Sequence, residues 1–89
     1  MRVLLGGKYW TLRFSGNLKD YGSMVDPGNA EGRLIRIGTW QSEKDTLDTI
    51  VHEALHCIEP CWTEERVAEA SKELSVMLWR LGYRRQTSQ

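Results

Sequence analysis

No apolar run in this chain approaches the roughly 20 residues that a helix needs to cross a bilayer, so a membrane-spanning helix is excluded. The opening stretch, Met1 to Lys8, is too short in apolar residues for a secretory signal, which points to the cytoplasm. Cysteine is scarce. Cys57 and Cys61, four residues apart across the helix end at Pro60, are close enough in the chain to pair, but without sign of secretion they read as free thiols in a reducing cytosol. Net charge is also absent, with 12 basic residues against 12 acidic ones. That balance argues against a dedicated nucleic-acid binder, although Arg80, Arg84 and Arg85 form a small basic end. No repeat or low-complexity segment is present, and no pattern fixes an oligomeric state.

What is present is a soluble globular composition, 40% hydrophobic and 27% charged. Its 89 residues make one small domain, near the size at which a single core stabilises a fold only marginally. A bound metal would then contribute to folding as well as to chemistry. Charge is unevenly spread: Glu43 to Glu73 holds nine acidic and three basic residues, net −6, leaving +6 elsewhere. Two solvated helices with acidic faces would account for this, and so would an acidic surround that attracts a divalent cation.

The chain has two histidines, and both fall in His52-Glu53-Ala54-Leu55-His56. On a helix of ~100° per residue these imidazoles lie ~40° apart, one turn above the other. So placed they can bind one Zn²⁺, and Glu53 between them can act on a metal-bound water. The apolar residues Leu47, Ile50, Val51, Ala54, Leu55 and Ile58 form one helical stripe. With Leu47 at zero the stripe centres near ~10°, while His52 and His56 fall at ~140° and ~180°. Histidines packed into a core would sit on that stripe; these face away from it.

The predicted fold is α+β. Arg2–Leu5, a Gly6-Gly7 turn and Lys8–Phe14 read as a β-hairpin, with Trp10, Leu12 and Phe14 on the apolar face. Ser15 to Gly32 is rich in turn formers and reads as a functional loop, a plain surface connection or cover for a short strand such as Met24-Val25. A strand follows at 33–38, with Ile35 and Ile37 on one face. Its place just before the histidine helix makes it the expected edge of a small antiparallel or mixed sheet, open to an extended peptide. Ser42 caps an active-site helix over about 43–59, ended by Pro60; Thr63 caps a second over about 64–81, stopped by Gly82. The stripe Val67, Ala70, Leu74, Met77, Leu78 and Leu81 predicts core packing for the second helix. Thus 1–38 gives sheet and loops, 42–82 two metal-site helices, and 84–89 a frayed tail.

Two histidines leave a tetrahedral zinc short of a third protein ligand. Glu59, Cys61, Glu64, Glu65 and Glu69 follow His56. With Val67 at zero, the second stripe centres near ~−20°, Glu64 lies on its border at ~60°, and Glu65 and Glu69 point away at ~160° and ~200°. Glu64 is therefore the first choice, Glu65 the second because helix starts shift by a residue or two, and Cys61 stays open as a good zinc ligand. Cys57 reads as a small core residue.

With these residues the chain resembles the gluzincin metallopeptidases, in particular short phage- and bacterium-encoded zincin domains of the SprT-like and minigluzincin groups. The resemblance lies in Leu47 to His56, in Glu64-Glu65-x-Val67, in Leu78 to Tyr83, and in the strand Arg33 to Ile37. It implies one zinc ion per chain, a following helix that donates Glu, and hydrolysis of a peptide bond in a peptide or protein substrate. His52, His56 and Glu64 would hold the metal and Glu53 would be general base. Substrate would lie along Leu34, Ile35, Arg36 and Ile37, and Tyr21 or Tyr83 are candidate oxyanion donors. The rival expectation is a zinc-binding zincin-like module that acts in protein interaction without catalysis. A fourth ligand in place of water would favour that rival.

Overall fold

A computed structural model describes residues 1–86 and gives an α+β fold. Strands β1 (Arg2–Leu5), β2 (Lys8–Ser15), β3 (Gly22–Val25) and β4 (Leu34–Gly38) precede helices α1 (Glu43–Ile58) and α2 (Glu64–Arg80). The strands form one mixed sheet in the order β1-β2-β4-β3. Gly6 and Gly7 both adopt positive φ, 60° and 76°, the left-handed pair that a two-residue hairpin turn requires. β2 and β4 run parallel, from Thr11 opposite Leu34 to Ser15 opposite Gly38.

The turn-rich segment after β2 does hide a strand. β3 pairs antiparallel with the outer side of β4, Met24 opposite Ile35 and Gly22 opposite Ile37. This corrects the expected place of Leu34–Ile37, because β4 is paired on both sides and is not an edge. Its main-chain groups are committed to the ladder, and Ile35 and Ile37 are fully buried, as suits an inner strand. Both sheet edges, β1 and β3, meet α1; β3 is the one beside Thr49 and Glu53.

Both helix starts fall at the predicted caps. Ser42 Oγ accepts from the Asp45 amide at 3.2 Å, and Thr63 Oγ1 from the Arg66 amide at 3.1 Å. α2 closes on Gly82 at φ 91°, with the Gly82 amide donating to Trp79 O and the Tyr83 amide to Leu78 O. Of the expected tail, Arg84 lies over the Trp79 ring at 3.3 Å and Arg85 over Phe14 at 3.8 Å, while residues 87–89 are outside the described residues.

The layers explain where the helical stripes depart from expectation. The core joins Trp10, Ile35, Ile37 and Cys57, flanked by Leu12, Phe14, Met24 and Ile50. α1 lies on this surface, and α2 lies on α1 and, among the described residues, not on the sheet. Sandwiched α1 therefore has two packing surfaces, and its most buried column is Thr49, Glu53 and Cys57, not the apolar stripe. The α2 column facing inward is Val67, Ser71 and Ser75. Leu74, Met77 and Leu81 stay 40%, 50% and 67% exposed, which corrects the core role expected for them. Small serines suit a close helix pair, and each hydroxyl is satisfied by its own helix, Ser71 on Ala68 O and Ser75 on Lys72 O.

Candidate metal centre

The C-terminal half of α1 and the first turn of α2 meet where the chain reverses at Pro60. There His52 and His56 bring their Nε2 atoms to 3.2 Å from each other. Ligand atoms about a tetrahedral ion with bonds of 2.0–2.1 Å stand about 3.3 Å apart, so the spacing fits one shared ion. The rings sit edge to face, centroids 4.9 Å apart. Glu64 spans the pair, Oε1 at 2.7 Å from His52 Nε2 and Oε2 at 2.7 Å from His56 Nε2. At that range either each Nε2 carries a hydrogen that it donates to Glu64, or a cation lies among the three groups. His52, His56 and Glu64 form a group that can hold a metal ion.

Glu64 arrives there because it shares the face of the inward column. It lies seven residues, two turns, before Ser71, which places the two within ~20° of each other on α2. Among the described residues the ligand group contains no other side chain: Glu59, Cys61, Glu65 and Glu69 stand outside it, Cys61 exposed. The two thiols are free. Burial pushes the Cys57 thiol up to about 12, reinforced by Glu53 and Asp26.

Ser71 is a residue that sequence reasoning missed. Its Oγ lies 3.5 Å from His52 Nδ1, while its own proton goes to Ala68 O at 3.1 Å. The hydroxyl can therefore only accept from His52, which favours a proton on Nδ1 and frees the Nε2 lone pair for a cation. The signal was available: two turns beyond a candidate ligand, the same helix face carries a small hydroxyl residue.

Glu53 is 8% exposed and opens on a cavity of about 500 Å³ that His52 and Glu64 also line. Burial raises its pKa; His52 and His56 oppose the rise and Glu64 adds to it. Its enclosure depends on Gly22 of β3, where a Cβ would come within 2.6 Å of Thr49 Cγ2 and 3.1 Å of Glu53 Cγ. Gln41 ties the same corner together, donating to Tyr21 O and Gly38 O and accepting from Thr49 Oγ1.

The two tyrosines separate. Tyr21 lines the Glu53 cavity and packs on Trp40 with ring centroids 4.9 Å apart. Tyr83 follows the far end of α2, about 25 Å along the helix from Glu64, and lines a different cavity with Phe14, Leu47 and Trp79. That distance removes Tyr83 as an oxyanion donor. Leu34–Ile37, inside the sheet, likewise present no free main-chain edge to a substrate. No helix among the described residues is long and apolar enough to cross a membrane. Comparison with protein-family models, with curated proteins and with solved structures found no match for this chain.

Proposed function

We propose that the protein is a zinc-dependent peptidase, with His52, His56 and Glu64 as ligands and Glu53 as general base. The observation that carries this reading is a three-ligand group with a buried carboxylate opening on the same cavity. Three ligands from the protein leave a tetrahedral ion one open position, the pattern of catalytic sites, whereas structural sites are closed by four. The nitrogen and carboxylate donor set suits Zn²⁺, which when bound lowers the pKa of a coordinated water to about 7 and polarises a carbonyl.

The chain's own residues supply the rest. Glu53, its basicity raised by burial, takes the proton of the attacking water and passes it to the leaving amine. Ser71 orients the His52 ring. Tyr21 is the remaining oxyanion donor at the cavity. An extended substrate would pair with the outer side of β3 in place of β4, because β3 is the edge beside Glu53 of α1. Free Cys57 and Cys61 fit a reducing compartment such as the cytoplasm.

The test is cleavage of a peptide library by zinc-loaded protein, wild type against Glu53→Gln. Turnover should fall by at least about a hundredfold, the scale of a lost general base, with zinc content unchanged. Cleavage that survives in Glu53→Gln, or no cleavage by zinc-loaded wild type, contradicts the proposal. The latter result would favour the rival module that binds zinc without catalysis.

A further inference from the structure

The cleft beside the histidines carries more negative charge than a metal site uses. Asp20, from the turn before β3, and Asp45 and Asp48, from the first two turns of α1, line the same cavity as His52, Glu53 and Glu64. A divalent ion balances the two glutamates. Three aspartates remain, and no lysine or arginine lines the cavity.

Local structure accounts for part of this. Asp45 lies in the first turn of α1, where the helix dipole favours an acid, and Asp48 lies 3.4 Å from Ser75 Oγ, competing with Lys72 O for its one proton. Neither fact explains the convergence. Asp45 and Asp48 are like charges three residues apart on one helix, a pairing that disfavours the helix, and Asp20 reaches the same cavity from another part of the chain. A second observation points to a ligand independently. The Glu53 side chain is nine-tenths buried yet makes no hydrogen bond or ion pair with a described residue. Because no fully enclosed side-chain polar atom in the described residues lacks a partner, its carboxylate must open into that cavity.

We propose that this cleft selects peptides with a lysine or arginine side chain near the scissile bond, Asp20, Asp45 and Asp48 being the specificity-determining carboxylates. The inference rests on the peptidase reading above. Asp48 and Asp45 precede His52 by four and seven residues, about 6 and 10 Å along the axis of α1. An extended peptide advances about 3.3 Å per residue. The carboxylates therefore address a side chain about two or three residues from the scissile bond.

The test uses zinc-loaded Glu53→Gln protein and fluorescent neutral peptides along which one lysine, or one glutamine in its place, is walked position by position. At the best position lysine should bind about tenfold tighter than glutamine, and the ratio should approach one at roughly 0.5 M salt. Adding Asp20→Asn, Asp45→Asn and Asp48→Asn together should abolish the ratio. A ratio near one at every position, no measurable binding by any peptide, or a lysine preference that survives the three substitutions overturns the proposal. Should the triple variant fail to fold, Asp20→Asn alone must lower the ratio by about twofold, and an unchanged ratio overturns it. Wild-type cleavage of the same peptides separates the two readings. Lysine preference in binding without any cleavage removes the peptidase and keeps the cleft, whereas cleavage indifferent to lysine does the reverse.

Discussion

α1 is held along two seams that differ in kind. Against the sheet it meets Trp10, Ile35 and Ile37 through Ile50 and Cys57, a contact made of apolar surface. Against α2 it meets Ser71 and Ser75 with His52 and Asp48, and at its far end Glu64 with both histidines. The first seam gains from burial whether or not a metal is bound. The second depends on what hydrogen or cation lies among His52, His56 and Glu64. The contrast teaches that the sheet and α1 form the platform, and that α2 is the element whose attachment a metal would strengthen.

The largest effect expected is on the first seam. Ile37→Ala empties a fully buried position and should cost about 2–5 kcal/mol, a large share of the roughly 4–13 kcal/mol available to a domain of this length. Denaturant unfolding checks it, and the loss should be the same with and without zinc. A loss that depends strongly on metal would mean the two seams are not separate.

Metal removal should come next. At a free zinc concentration about a hundred times the dissociation constant, the ion adds about 2.7 kcal/mol, which chelation would remove and Glu64→Ala would lower by about 1.3 kcal/mol or more. Amide exchange should then quicken in α2 while β2 and β4 keep their protection. Cys57 reports on the sheet seam in the same sample. Buried, with its thiol pushed up to about 12, it should resist alkylation in the metal-free protein while exposed Cys61 reacts. Rapid modification of Cys57 on chelation would contradict the division.

Not all of this division is legible in the sequence. The hairpin is, because Gly6-Gly7 and the alternation of Trp10, Leu12 and Phe14 are local signals. So are both caps, which need only Ser42 and Thr63 before acidic first turns, and the phase that sets Glu64 towards the histidines. β3 is faint because Gly22 and Ser23 have low strand propensity and only Met24 and Val25 mark it. Once β3 is faint, β4 looks like an edge, since inner and outer places in a sheet are fixed by partners distant in the chain. The helical wheels fail for a different reason. A wheel assumes one packing surface, whereas α1 has two, and α2 turns a serine column inward and leaves Leu74, Met77 and Leu81 facing out.

The smallest effect lies away from both seams. Asp26 accepts from the Gly28 amide at 2.8 Å and pairs with Arg33 and Lys8. The Gly28 hydrogen bond outweighs an opposing effect of burial and, with smaller help from Arg33 and Lys8, holds its pKa below the usual carboxylate value. A depressed folded pKa stabilises above the ordinary carboxylate value and is lost as pH falls through the lowered one. Asp26→Asn should therefore cost a little stability at neutral pH and nothing in strong acid, with zinc binding untouched. A cost that grows on acidification would contradict that sign.

The most direct measurement is a calorimetric zinc titration of the metal-free protein at neutral pH. One ion per chain should bind to wild type, and saturable binding should vanish in His52→Ala/His56→Ala and weaken by at least about tenfold in Glu64→Ala. Binding of equal strength and stoichiometry in the double-histidine variant would contradict a metal centre built from these residues.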